Sequence, residues 1–348
     1  MCRPETAAPA RLRTDLNIAT HAILSFVLAR AFFPRRGWAV AVGLIVAGTL
    51  ADADVFSAMF GPDAYLSWHG TYTHSLPGTL LVVAIAAVLA MRLDKANPRA
   101  AAGTAAAMAL AAIVHVLLDV CQSDGVMSLW PLKTTRYAAD ILPGMDAWIL
   151  ALLILGIVVP ELFRLVGSEI GAKDKSPRGR NGAIVALALI LIYVGARYVL
   201  HSNALAELDA HAYRGESPRR IGAFADALSV FTWHGIVETQ SSVCQLEAFV
   251  GPSGRFDPEA AMCQHKPEPS PALDLAQRTA ASQKFIRVAR FPKATVEKIN
   301  TGYEVVIRAM EDAAKQSSGR GVAARIVLDP QPRVTSEELV WSKDLARR

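Results

Sequence analysis

The sequence predicts an α-helical polytopic membrane protein of about six transmembrane helices, followed by a small soluble α+β domain. Three observations carry that reading. The mean hydropathy is +0.29 over 348 residues, with 52% hydrophobic and 19% charged side chains, which is too apolar for an ordinary soluble chain. The apolar residues are also segregated: up to about residue 203, long Ala/Leu/Val/Ile runs alternate with short polar joints. From residue 204 onward Pro, Gly and charge return at globular density, so the chain divides into 1–203 and 204–348.

Runs of roughly 17 to 25 apolar residues cross a bilayer, and such runs lie near 17–33, 38–58, 74–91, 100–120, 145–166 and 182–201. The first holds His21 and Arg30 and is read as a span rather than a cleaved leader, because no small-x-small cleavage site follows it cleanly. In the tail, "VFTWHGIVETQSSVCQLEAFV" alternates as paired strands do, and "SQKFIRVARF", "YEVVIRAM" and "GVAARIVLDPQPRV" read as further short strands. A helix is expected near 273–282. Cys244 and Cys263 are either a bridge formed in an oxidising compartment or two free thiols, and Cys2 and Cys121 form no pattern. His201, His211, His234 and His265 are scattered and suit ordinary surface or core roles.

The ionisable residues inside or at the lip of the spans follow a rule. His21 opens the first span, Asp52 and Asp54 close the second, and His69 and His74 lead into the third. His115 and Asp119 close the fourth, and Asp146 opens the fifth. Alternate crossing puts all of them on one face of the membrane. Each would cost about 2.5 to 3.5 kcal/mol at membrane depth if unpaired, so they are expected to face inward together. His115 and Asp119, four apart, share a helical face. Asp52 and Asp54, two apart, point in nearly opposite directions on a regular helix; either the helix unwinds there or only one is a direct ligand.

Imidazoles and carboxylates in one cup suit a divalent metal: zinc if nitrogen-rich, manganese or iron if carboxylate-rich, and one ion or two. Such a metal acidifies water and polarises a carbonyl or phosphoryl oxygen, so hydrolysis is the expected chemistry. Simpler roles compete. His21 and Asp146 suit interfacial hydrogen bonding, His115 with Asp119 could tie two helices together, Asp54 could cap a helix, and Ser75 reads as a helix N-cap. Trp68, Trp130 and Trp148 sit where interfacial aromatics belong.

The succession "NIATHAIL", "LADADVF", "HGTYTHSL", "HVLLDVCQSDGVMSLWPL" and "DILPGMDAWILALLIL" closely resembles the LexA-regulated, membrane-bound metal-dependent hydrolases of bacterial inner membranes, over about residues 17–165. The resemblance implies that His21, Asp52, Asp54, His69, His74, His115, Asp119 and Asp146 are the metal-site residues, with Thr73 and Ser75 near water or substrate. Two positions depart from the family pattern. Ala51 stands where a Pro is usual, and Gly70 where an Arg is usual, so any anion contact from that Arg would be missing.

Other hydrolase signatures are absent: there is no HExxH, no Gly-x-Ser-x-Gly and no phosphate-binding Gly-x-x-x-x-Gly-Lys-Ser/Thr loop. The basic residues cluster in joints between spans, where topology explains them better than nucleic acid does. Arg30, Arg35, Arg36, Arg92, Lys95, Arg99, Arg164, Lys173, Lys175, Arg178 and Arg180 on one side outnumber Arg3, Arg11, Arg13, Lys133 and Arg136 on the other. The positive-inside rule then puts the His/Asp face and the tail domain on the outer, periplasmic side of a bacterial inner membrane.

The expected activity is therefore metal-dependent hydrolysis of an amphipathic ester or phosphoester, with a membrane lipid or lipid-linked small molecule as substrate and no nucleic-acid partner. His69, His74, His115, Asp52 and Asp119 would hold the metal, and Asp54 or a spare histidine such as His74 would act as base. A proton- or metal-coupled transporter is the competing class, although no internal repeat supports it. A non-catalytic sensor with a structural metal is the third.

Overall fold

The computed structural model describes residues 10–94, 101–169, 179–251, 256–312, 319 and 321–345. Lys95, Arg99, Lys173, Lys175 and Arg178, which carry part of the orientation argument, lie outside the described residues, as do Cys2 and Arg3.

The N-terminal region is helical, as the hydropathy pattern requires. It comprises α1 (Ala10–Phe32), α2 (Trp38–Ala47), a 3₁₀ helix (Leu50–Phe60), α3 (Pro62–Trp68), α4 (Leu76–Asp94), α5 (Ala101–Val120), α6 (Ala147–Glu169) and α7 (Arg180–Asp209). Among the described residues four stretches are long and apolar enough to cross a membrane: Leu76–Leu93, Ala101–Val120, Ala147–Gly167 and Arg180–Asp209. The expected second span is instead a pair, α2 and the 3₁₀ helix, bent by 44°, which makes five spans if the pair is one. The expected first span is a shorter apolar helix, Asn17–Phe32.

The bend has a local cause. The Thr49 hydroxyl donates back to Ile45 O at 2.8 Å, competing with the backbone ladder at the end of α2. At Gly48 a Cβ would lie 1.9 Å from Ser25 Oγ, so only glycine lets this corner pack against α1. The interior between helices is built from small residues such as Ala86, Ala90, Ala107 and Ala111 around Leu44 and Met108, which permits close helix approach. Outward faces carry Leu80, Leu81, Leu191 and Ile192, all exposed, as a lipid solvent allows.

The composition boundary near residue 203 falls inside α7, which continues unbroken to Asp209. Its last turns pack Ala204 and Leu208 against Trp233, Cys244 and Leu246 of the first of two antiparallel sheets. That sheet has the order β1 (Arg220–Ala225), β2 (Thr232–Glu238), β3 (Ser242–Phe249), β4 (Met262–His265). The second has the order β5 (Pro292–Ile299), β6 (Gly302–Ala309), β7 (Val322–Leu328), β8 (Val334–Trp341). Cys244 and Cys263 face each other in register on β3 and β4 and are bridged.

Between the sheets the sequence reading needs correction. The single helix near 273–282 is two, α8 (Pro271–Arg278) and α9 (Ala280–Ile286), each started by its own cap: Ser270 accepts from Leu273 N, and Thr279 from Ser282 N. The expected strand "SQKFIRVARF" is the end of α9 up to Ile286 followed by a turn. Its apolar Phe285 and Ile286 pack against the second sheet from a helix, and burial at one face does not by itself distinguish the two periods.

The two regions dock. Arg290 gives both guanidinium nitrogens to Asp140, at 2.6 and 2.7 Å, and reaches Ser123 O at 3.1 Å. Arg197, fully buried in α7, donates to Ile141 O, Ser229 O and Val230 O. Tyr65 and Leu66 of α3 pack on the core of the second sheet, and Lys284 of α9 pairs with Asp63 at 2.5 Å.

Candidate metal centre

The site assembles where four segments meet. The 3₁₀ helix contributes Asp52 and Asp54. At three residues per turn, positions two apart diverge by roughly 120°, less than on an α-helix, so both carboxylates turn inward. This answers the spacing question with both alternatives at once: the helix is rewound, and the two acids take different roles. The turn 69–75 contributes His69 and His74, α5 contributes His115 and Asp119, and α1 contributes His21.

His21, Asp52, His115 and Asp119 are all buried, and each offers a ligand atom within 4.8 Å of the others. His74 joins them. Its Nε2 is 3.2 Å from His115 Nε2, 3.2 Å from Asp119 Oδ2 and 3.7 Å from Asp52 Oδ1. His115 Nε2 is likewise 3.2 Å from Asp119 Oδ2 and 3.8 Å from Asp52 Oδ1. Donors about 2.0 to 2.1 Å from a tetrahedral zinc stand roughly 3.3 Å apart. His74 Nε2 and His115 Nε2 thus stand 3.2 Å from each other and 3.2 to 3.8 Å from Asp119 Oδ2 and Asp52 Oδ1, close to that spacing. Two imidazole nitrogens facing each other repel unless a proton or a cation lies between them. Asp52 Oδ2 and Asp119 Oδ2 are buried without a hydrogen-bond donor, a costly state for carboxylate oxygens that a cation relieves. The donor set fits a divalent metal ion.

His21 lies against this group, Nε2 to Asp119 Oδ1 at 3.1 Å, and Gln122 donates to the same oxygen at 3.3 Å. Asp54 stands one layer out. Its Oδ1 meets His69 Nδ1 at 2.8 Å, while Oδ2 accepts from Gly70 N at 2.8 Å and from the Thr73 hydroxyl at 2.9 Å. The same oxygen is 3.2 Å from His74 Nδ1, which fixes the His74 tautomer with Nε2 toward the centre. Both Asp54 oxygens are thus committed to orienting other groups. His69, whose side chain is 27% exposed, has Nδ1 on Asp54 and its ring stacked on Tyr65 at 4.7 Å.

Asp146 is not in this group. Its carboxylate caps α6, accepting from Trp148 N and Ile149 N at 2.9 and 3.0 Å, and takes the Tyr193 hydroxyl at 2.8 Å. Ser75 precedes α4 and accepts from Gly78 N, as an N-cap does.

Sequence reasoning missed Arg136, read only as a charge in a joint. Its guanidinium donates to His69 O at 2.5 Å and Gly125 O at 3.1 Å, holding the turn that carries His69. Gly70 has φ +67, and a Cβ there would lie 2.8 Å from Arg136 Nη1. The Arg136 guanidinium, from the segment after α5, thus lies directly against position 70. A long loop gives no periodicity from which to find it.

A family model described as the YdjM inner membrane protein matches residues 16–204, and the chain belongs to that family. The match covers the helical region through α7, beyond the five motifs that suggested an inner-membrane family. No curated protein and no solved structure matches the chain.

Proposed function

We propose that this member of the YdjM inner membrane protein family is a membrane-embedded, metal-dependent hydrolase of an amphipathic ester or phosphoester. The observation that carries the reading is the convergence of His74 Nε2 and His115 Nε2, 3.2 Å apart, on Asp119 Oδ2 and Asp52 Oδ1 at 3.2 to 3.8 Å. Those residues would hold the ion, with His21 buttressing Asp119; zinc suits the two imidazoles, and manganese or iron the carboxylates. A divalent cation there supplies Lewis acidity, acidifying water and polarising the bond to be cleaved.

The surrounding side chains divide the remaining work. Asp54 fixes the His74 tautomer and anchors His69 through Nδ1, which leaves His69 Nε2 as the ring nitrogen not held by Asp54. We assign the general base to His69, because its partial exposure lets it exchange protons while the Asp54 oxygens are all engaged. Arg136 and Thr73 hold the backbone and the carboxylate of this turn in place.

The surroundings support the substrate class. Phe56, Met59 and Phe60 of the 3₁₀ helix are 65%, 81% and 82% exposed, and Trp68 and Tyr72 continue that apolar rim. A lipid or lipid-linked ester arriving laterally meets this surface first. The excess of basic residues at the opposite rim, together with a Cys244–Cys263 bridge that needs an oxidising compartment, supports placing the centre and the sheets on the periplasmic side.

Purified protein assayed for phospholipid hydrolysis, before and after chelation, tests the proposal. His69→Gln is expected to retain the metal and lose about 10² to 10⁴ in turnover. Asp54→Asn is expected to lose roughly 10- to 100-fold in metal affinity as well. Turnover that survives metal stripping, or protein that takes up no divalent ion, rejects it.

A further inference from the structure

The first sheet packs one face on α7 and the second packs one face on α8 and α9; beside the buried Phe224, Ile236, Val243 and Phe291, residues of both sheets line a cleft of about 240 Å³. Gln245 and Gln264 line it from the first sheet, and Lys293, Thr295, Arg308 and Met310 from the second sheet and its end.

Its charge pattern is unusual. Lys293 and Arg308 are direct cross-strand partners in the β5–β6 pair, and like charges directly opposite are unfavourable. No carboxylate lines the cleft. The same sheet face supplies its own control: Arg325, opposite Val306, is held between Glu304 at 2.5 Å and Glu338 at 2.9 Å. Among the described residues Arg308 makes no ion pair, and the Lys293 ammonium has only the neutral Gln264 Oε1 as acceptor. Burial and the Arg308 charge pull the Lys293 ammonium below its usual range. The fold therefore places two facing cations in a concave site and compensates one of them only with a neutral amide.

We propose that this cleft is a binding site for a small soluble oxyanion of the phosphate or phosphate-monoester class, held by Lys293 and Arg308 with the Gln245 and Gln264 amides as hydrogen-bonding partners. A cleft smaller than the roughly 300 to 1,000 Å³ of drug-sized sites suits such a ligand. Two converging cations give the charge-assisted bonds that phosphate oxygens accept. The site is independent of the metal centre and does not rest on the hydrolase reading.

The test is calorimetric titration of the full chain in detergent with inorganic phosphate. Saturable binding is expected for the wild type, weakened at least about tenfold by Arg308→Gln or Lys293→Gln and retained by Lys293→Arg. Without phosphate, Arg308→Gln is expected to melt no lower than the wild type, because the repulsion across the strand pair is relieved. That readout separates lost binding from lost folding. No saturable binding by the wild type, or variants that bind as the wild type does, overturns the proposal. So does binding to phosphatidylglycerol vesicles through Arg308 with none to free phosphate, which assigns the cations to a lipid headgroup.

Discussion

The helical region and the paired sheets place their charged side chains in opposite ways. In the helices, His21, Asp52, His74, His115 and Asp119 are each between 1% and 7% exposed, and they press like groups together at hydrogen-bonding range. In the sheets, ion pairs such as Lys266–Glu238 at 2.7 Å and Arg325–Glu338 at 2.9 Å sit at the surface, while Trp233, Val305 and Ile326 supply the buried core. Surface pairs contribute about 0 to 1 kcal/mol each. A buried group with opposed imidazoles and undonated carboxylate oxygens is a net cost unless something fills it. The sheets are held up by their core, and the helical cluster is an expense that a shared proton or a bound cation would offset.

The largest effect that would sharpen this contrast is at Asp119, the residue in contact with His21, His74 and His115 together. Asp119→Ala is expected to cut metal affinity by more than about 100-fold, since even the loss of a supporting group costs roughly 10- to 100-fold. Elemental analysis of the purified variant reads this directly. The sheets should not notice: the Cys244–Cys263 bridge should stay as resistant to reduction and alkylation as in the wild type. Unchanged metal content would dissolve the contrast from one side, and a labile bridge from the other.

The same contrast explains what was legible in the sequence. An ionisable residue in an apolar run is conspicuous because it is expensive, so His21, Asp52, His74, His115 and Asp119 could be collected from topology before any contact was known. Asp54 and His69 were found the same way, but the sequence could not separate a residue that binds from one that orients, because spacing records which face a side chain shares and not which atom it offers. Asp146 sat at the same rim for a different reason, as the cap of α6 bonded to Tyr193. The bend after α2 was foreshadowed only by the awkward spacing of Asp52 and Asp54. In the tail no such cost marks the chain. Short strands alternate weakly, so β1, β4, β5 and β8 went unseen, and α9 was mistaken for a strand. Arg136 and Arg290 act across more than ten residues from segments without a period, and nothing local announces their partners.

Arg290 offers a smaller perturbation, aimed at the joint between the regions. It holds both oxygens of Asp140, a residue in the left-handed conformation with φ 59. Arg290→Met keeps most of the stem and leaves the Asp140 carboxylate, 13% exposed, without its cation. A loss of about 2 kcal/mol is expected, the low end for a broken charge pair because the guanidinium is partly solvated. Thermal unfolding should then resolve into two transitions, the sheets and the helices melting separately, with metal content intact. A single transition at the wild-type temperature would mean that the docking is carried elsewhere, by Arg197 and its three carbonyl partners.

The smallest predicted effect tests whether the regions are as separate as their charge patterns imply. Trp341, at the end of β8, lies 5.5 Å from the ring of Tyr65, and Tyr65 in turn stacks on His69 at 4.7 Å and 16°. The second sheet thereby reaches the candidate base through two aromatic contacts, Trp341 on Tyr65 and Tyr65 on His69. Trp341→Leu preserves apolar bulk and removes the ring pair, worth about 0.5 to 1.5 kcal/mol. If the sheet serves to hold His69 in place, turnover should fall by roughly two- to tenfold while metal content stays at the wild-type level. A loss of that size with metal retained would join the two regions in one working unit. Turnover equal to the wild type would leave Tyr65 as a passive seat for α3, and the sheets as a domain whose purpose lies in their own cleft.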